Sequence, residues 1–194
     1  MGEKAEQKRQ FIINTAKLIF AKKGFKSVTM NDIITACNIS RGGIYLYFKS
    51  TEEIFEEILK SERQQDNMLC LINDKSSAKD ILLAFLDMQK KEILSKSDNL
   101  IIATYEYFFA QSNNITKLGL EIDFNNAVNK ISSIIKYGIE KGEFVSSPSI
   151  SAENIVFLLE GLRLSSLVIT ISQQQVDNQI NYIVSQLERA KNEE

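Results

Sequence analysis

The sequence predicts an all-α protein of about nine helices, with a helix-turn-helix head at the amino end and a larger helical body behind it. Three observations carry this prediction. The 194 residues hold one proline and eight glycines, and because proline costs about 3 kcal/mol inside a helix, its scarcity permits long uninterrupted ones. Apolar residues recur at helical spacing, with no alternating strand pattern. Side chains that favour helix N-caps stand just ahead of several of these apolar stretches. With 44% hydrophobic residues, the chain can fill the cores of one or two compact domains.

The first helix spans about 5–23, where Ile12, Ala16, Ile19 and Phe20 form one buried stripe. Lys22 and Lys23 suit the negative end of that helix and Gly24 closes it. Thr29 and Asp32 have capping-box spacing and open a second helix over about 29–36, with Ile33, Ile34 and Cys37 on its apolar side. Asn38 tolerates a left-handed turn, and Ser40 caps a third helix over about 41–47 that carries Arg41, Tyr45 and Tyr47. Two short helices joined by a 3–4-residue turn are the unit that sets its second helix into a DNA major groove.

Ser50 and Glu53 open a fourth helix with Ile54, Phe55, Ile58 and Leu59 inward, running to about Leu71 as the bridge out of the head. Asn73–Ser77 reads as a linker, and Ser77 with Asp80 caps a fifth helix through about Lys96. After the aromatic segment Asn99–Ser112, a long helix is expected from Ile115 to Lys141, with an interruption near Gly119 left open and closure at Gly142. Pro148 within Ser146–Ser149 is the clearest break. Two final helices are predicted over about 151–173 and 175–191. Their stripes are Ile155, Leu158, Leu162 and Ile169, then Val176, Ile180, Ile183 and Leu187.

Net charge is −2, but it is unevenly placed. Residues 1–50 hold nine Lys/Arg and three Asp/Glu, a net +6, which leaves −8 for residues 51–194. A cationic head on an anionic body is the footprint of one domain that meets phosphates and one that does not. Histidine is absent, which removes the commonest general base and the commonest metal ligand. Zinc spacing, a P-loop, GxGxxG and a nucleophile elbow are missing too, so an enzyme ranks last and no metal or cofactor is expected. Cys37 and Cys70 read as buried small hydrophobes. With no apolar run of about 18–20 residues and no signal-peptide core, the expectation is a soluble cytoplasmic protein.

Phe20-Ala-x-x-Gly-Phe25, Val28-Thr29-x-x-x-Ile33, Ile39-Ser40-Arg41-Gly42-Gly43-Ile44-Tyr45-x-Tyr47-Phe48 and Lys49-Ser-x-Glu-Glu-Ile54 closely resemble the TetR family of repressors. These elements appear in order along the first part of the chain. The remainder matches in architecture, through Gly138-Ile-Glu-Lys-Gly-Glu-Phe144 and the two terminal helices. The resemblance implies a DNA-binding domain at 1–50, with helix four (about 50–71) linking it to a ligand-binding and dimerisation domain at 51–194. It also implies a homodimer on double-stranded operator DNA, a small-molecule effector in the body, and dimerisation mainly through the last two helices.

By its own chemistry Arg41 can reach guanine O6/N7 or a phosphate. Gly42 and Gly43 each cost the helix about 1 kcal/mol against alanine, either as a loosely wound start or as a close approach to DNA. Gly43 stands where the family commonly has a hydroxyl residue, and Thr51 where it commonly has a lysine, with Lys49 two residues earlier. The resemblance implies that Tyr45 and Tyr47 place polar tips on the DNA backbone, core packing being the alternative, and that Thr29 both caps helix two and bonds a phosphate. Leu46 can touch a thymine methyl, and Ile44 and Phe48 read as core. Met30 and Asn31 lie at the exposed start of helix two, where Asn31 can read an adenine edge.

In the body, Met68, Phe85, Met88, Tyr105, Phe108, Phe109, Phe124, Tyr137 and Phe157 supply aromatic and methionine side chains, most of them core. The resemblance implies that some line a pocket for an apolar or amphipathic effector. Glu160 and Arg163 can anchor a polar ligand group or make an intersubunit ion pair. The reading is a ligand-responsive repressor. The alternative is a helix-turn-helix protein whose body binds a protein partner.

Overall fold

N-capping sets most of the helix starts. The computed structural model describes residues 2–65, 76–95, 100–110 and 114–188. Among these it places α1 Glu3–Lys23, α2 Met30–Cys37, α3 Arg41–Tyr45, α4 Thr51–Gln65, α5 Ala78–Leu94, α6 Ile101–Ala110, α7 Asn114–Glu140, α8 Ala152–Ser166 and α9 Gln173–Leu187. The fold is all-α, as predicted. Thr29, Ser40, Ser77, Ser151 and Ser172 each accept an amide N–H of the first turn that follows, satisfying donors that a helix start otherwise leaves unpaired. No helix among the described residues is long and apolar enough to cross a membrane.

The chain divides into two compact units. The first comprises Met1–Asp66 with Lys96–Asn113, and the second Asn67–Ser95 with Asn114–Glu194. The head unit thus reaches beyond residue 50 and includes α4 and α6. Its core shows why: Ile54, Phe55 and Ile58 of α4 and Ala103, Tyr107 and Phe108 of α6 are buried with Ile12, Ala16 and Phe20 of α1 and with Ile33 and Ile44. Phe55 meets Phe20 edge-on at 4.8 Å, and Tyr107 lies 5.0 Å from Phe25 and 5.3 Å from Phe55. The Tyr107 hydroxyl donates to Glu56 Oε1 at 2.7 Å, and the Lys26 amide donates to Glu106 Oε2 at 2.9 Å. Cys37 is buried here, and burial pushes its thiol above the usual range.

The body unit buries Leu82, Phe85 and Leu86 of α5, Ile131 and Ile134 of α7, Ile155 and Leu159 of α8, and Val176, Ile183 and Leu187 of α9. Phe144, just past α7, covers Gly138, where an added Cβ would sit 2.1 Å from the Phe144 ring. The Ser77 hydroxyl donates to Glu143 at 2.8 Å, and the Tyr137 hydroxyl to the Ser76 carbonyl at 2.8 Å.

Several boundaries differ from expectation. α7 runs through Gly119 without a break. α3 stops at Tyr45 and not at Tyr47. α8 ends at Ser166, seven residues early, because the β-branched run Val168–Ile171 favours helix poorly and Ser172 with Gln175 starts α9 with a full capping box. The predicted end of helix four, the start of the linker, Met68 and Cys70 lie outside the described residues.

Candidate nucleic-acid interface

The helix-turn-helix is held by short polar contacts at each joint. Asp32 Oδ2 accepts both the Thr29 amide (2.9 Å) and the Thr29 hydroxyl (2.7 Å), and Thr29 Oγ1 accepts the Asp32 amide at 3.2 Å. Lys23 closes the joint from the end of α1, with Nζ 2.6 Å from Asp32 Oδ1. The lysine, together with the Thr29 bonds, holds the Asp32 carboxyl far below the usual carboxylate range. A hydroxyl has one proton, and that of Thr29 goes to Asp32. The hydroxyl contact to phosphate implied for Thr29 is therefore already taken up inside the head.

Asn38 adopts the left-handed conformation expected of it (φ 50°, ψ 42°) and turns the chain into α3. Ser40 Oγ accepts the Gly43 amide at 3.2 Å. The two glycines then separate. A Cβ on Gly43 would lie 2.8 Å from Ile39 Cγ2, whereas one on Gly42 would meet nothing within 4 Å. Gly43 is thus explained by packing inside the head, and Gly42 leaves an open patch on the surface of α3.

Around that patch, Arg41 and Tyr45 are exposed, Leu46 is 83% exposed, and Tyr47 packs half-buried against the core. Ile44 and Phe48 are buried, as expected of core residues. Arg41 Nη2 donates to Asn31 Oδ1 at 3.0 Å, joining the starts of α3 and α2. Lys49 is exposed, and its amide is held by Glu53 at 2.6 Å. Three of the nine cations counted in the head are neutralised within it, in Arg9–Glu57, Lys17–Glu62 and Lys23–Asp32, each at 2.6 Å. Lys4, Lys8, Lys22, Lys26 and Lys49 make no ion pair among the described residues. Arg9 also lies 5.1 Å over the Phe48 ring. Its charge serves the packing of α1 on Phe48, just past α3.

Two family profiles match in tandem: bacterial regulatory proteins of the tetR family over residues 12–58, and the tetracyclin repressor-like C-terminal domain over residues 81–191. The chain belongs to the TetR family. It is 31% identical to the uncharacterized HTH-type transcriptional regulator YfiR of Bacillus subtilis, over 73% of this chain and 70% of that protein. A second B. subtilis relative, the uncharacterized HTH-type regulator YerO, is 27% identical over 77% of this chain, and the match spans 54% of its length. In fold, a putative transcriptional regulator from Saccharomonospora viridis, solved in complex with choline, superposes with a TM-score of 0.76 at 18% identity, covering 95% of this chain and 100% of that one. As a TetR-family member the protein is a DNA-binding transcriptional regulator.

The regulatory half of this TetR-family chain is arranged differently from the sequence expectation. Tyr105, Phe108 and Phe109 belong to the head unit, where Tyr105 stacks on Phe109 at 6.1 Å. Phe85, Met88, Phe124, Tyr137, Phe157, Glu160 and Arg163 belong to the body unit, so the expected lining is not drawn from one unit. Phe85 is core, Met88 is partly exposed, and Phe124 lies 4.9 Å from Phe157. Arg163 pairs within its own chain, bonding Glu160 and Gln89 and lying 3.4 Å from Glu92. Among the described residues, Gln89 is the buried polar side chain of this core.

The expected dimer stripes are largely interior. Ile155, Val176, Ile183 and Leu187 are fully buried within one protomer and present nothing to another. Leu158, Leu162 and Ile180 pack partly buried on the same core, and Ile169 is 60% exposed but lies beyond the end of α8. Helical periodicity finds the stripe with the most apolar residues, which is the one the protomer itself covers. α8 carries a second, outward stripe, Phe157, Gly161 and Leu164, at i, i+4 and i+7, all exposed, with exposed Val168 just past its end.

Proposed function

We propose that this protein is a homodimeric repressor that binds a two-part operator and leaves it when a small apolar or amphipathic effector occupies the body. The observation that carries the DNA-binding part is the outer surface of α3. A Ser40-capped helix start, the open Gly42 patch, and exposed Arg41, Tyr45 and Leu46 stand together on a rigidly braced helix-turn-helix. Arg41 and Leu46 are assigned to base edges. Ser40, Tyr45, Tyr47, Lys49 and the first amides of α2, at Met30 and Asn31, are assigned to phosphates, while the Gly43 amide, expected at the DNA, is taken by the Ser40 cap. The Thr29 role is reassigned to bracing, since its hydroxyl proton is committed to Asp32.

Dimerisation is assigned to the outward stripe of α8, Phe157, Gly161 and Leu164, and to Val168 just past its end, with Tyr182 of α9 at 51% exposure beside the polar outward face of that helix. Gly161, with open space at its Cβ, allows close approach of a second helix. The effector class rests on the apolar and aromatic side chains that the body leaves partly exposed, Met88 and Phe124 among them, and on the choline found in the S. viridis relative of the same fold. Two heads must meet half-sites about 34–36 Å apart on one face of the duplex. An effector that favours a different separation therefore lowers the affinity of the pair for its operator.

Selection of genomic fragments by the purified protein tests this reading. The expected product is a set of fragments sharing an inverted repeat with half-sites about one helical turn apart. Enrichment of no sequence over bulk DNA would overturn it.

A further inference from the structure

We propose that Asn31 and Arg41 form one reading unit for a G·C pair, with Asn31 the positioning residue that aims the Arg41 guanidinium. The inference rests on the operator-binding reading above and adds a residue role to it.

The two side chains come from helix starts that the head holds firmly. Asn31 is the second residue of α2, fixed by the Thr29–Asp32 capping box and the Lys23 ion pair. Arg41 is the first residue of α3, fixed by the Ser40 cap. Between them runs the 3.0 Å hydrogen bond from Arg41 Nη2 to Asn31 Oδ1. A guanidinium only donates, so the asparagine atom facing it has to be the oxygen. An arginine on a solvent-exposed helix otherwise samples many rotamers, and ordering it counts against binding. Held by Asn31, it is partly ordered before DNA arrives.

The donor count leaves room for the base. Of the five N–H groups of the guanidinium, one goes to Asn31 and four remain, enough for the two that meet guanine O6 and N7. The charge also remains whole. Arg41 has no carboxylate partner among the described residues, and its nearest acid along α2, Asp32, is taken by Lys23 and Thr29. A neutral amide therefore orients the cation without cancelling it or repelling phosphates. The same bond ties Asn31 to Arg41. One of the two lone pairs of Asn31 Oδ1 is taken by the guanidinium, and the two Nδ2 donors remain for a neighbouring base acceptor or phosphate.

The test is selection from a randomised duplex library with wild-type protein, Asn31→Ala, Asn31→Asp, Arg41→Ala and the Asn31→Ala/Arg41→Ala double variant. The readout is the preference at each base position, a ratio between sequences for one variant, so any change in folded fraction cancels. Asn31→Ala is expected to lower preference for guanine at the Arg41 position about five-fold or more and to leave the other positions unchanged. Adding it to Arg41→Ala should cost less than a further two-fold. Asn31→Asp, which keeps the acceptor, should keep the guanine preference while weakening binding to all sequences through its added charge. Relaxation of an adenine position by Asn31→Ala, multiplying with Arg41→Ala, would overturn the proposal, as would an unchanged preference matrix. Wild-type protein that enriches nothing would overturn the operator reading itself, and this inference with it.

Discussion

Replacing Gly24 by alanine tests how the head is braced. Gly24 closes α1 with φ 75° and ψ 169°, a conformation nearly confined to glycine, and the strain for any other residue is about 1–3 kcal/mol. A Cβ there would also lie 2.6 Å from Glu106 Oε2, the oxygen that accepts the Lys26 amide from α6. Hydrogen bonds to charged groups are worth about 1.5–3 kcal/mol. This one is solvent-exposed, so about 1 kcal/mol is the fair figure. Gly24→Ala should therefore cost about 2–4 kcal/mol, Glu106→Ala alone about 1, and Gly24→Ala in the Glu106→Ala background only the strain. The double variant should fall short of additivity by about 1 kcal/mol. Urea unfolding of the full chain, paired with amide exchange in α1 and α2 to isolate the head unit, measures all three. A Gly24→Ala protein within 0.5 kcal/mol of wild type, or strict additivity with Glu106→Ala, would refute the bracing of the α1–α2 turn by α6.

Other consequences are equally concrete. If Leu46 meets a thymine methyl, Leu46→Ala should leave the melting temperature unchanged, since the side chain is 83% exposed, and replacing that thymine by uracil should weaken binding of wild type but not of Leu46→Ala, as read by competition binding. Phe157→Glu should shift sedimentation from dimer to monomer without unfolding the protein. Ile155→Ala, fully buried, should instead lower stability by about 2–5 kcal/mol and leave the fraction that remains folded dimeric. Stability against pH should be flat from 5 to 8, since the chain has no histidine, and should fall in acid. Lys23 beside Asp32 and Arg9 beside Glu57 hold those carboxyls below their ordinary values. Their contribution is complete above about pH 5 and is lost as pH drops through the depressed folded values. A thermal midpoint that falls between pH 7 and 5.5 would contradict this.

The head was legible because its signals are local. Thr29 with Asp32, Asn38, Ser40 and Gly24 announce caps and turns within three or four residues, and each behaves as its chemistry requires. What escaped the sequence depends on distance along the chain. Glu106 and Tyr107 meet the head from about 50–80 residues away, so nothing near α6 marks it as part of the DNA-binding unit. Asn31 and Arg41 looked like two separate readers until their hydrogen bond joined them. In α8 the apolar period carries two stripes, and periodicity cannot say which one a protomer buries and which it offers. Ile155 and Phe157 differ by two positions and by complete burial against 64% exposure. The early end of α8 was readable after all, in the β-branched Val168–Ile171 run and the Ser172–Gln175 cap.

The most direct test of phosphate-anchored docking by paired heads is the salt dependence of binding to the selected operator. If Lys49 and other lysines of the head that make no ion pair among the described residues neutralise about four phosphates per protomer, about eight per dimer, log K should fall with log salt at a slope near −7. Lys49→Ala, removing one phosphate contact from each head, should make the slope shallower by about 2, while Arg41→Ala should cost affinity with little change in slope. A wild-type slope near zero would contradict the account.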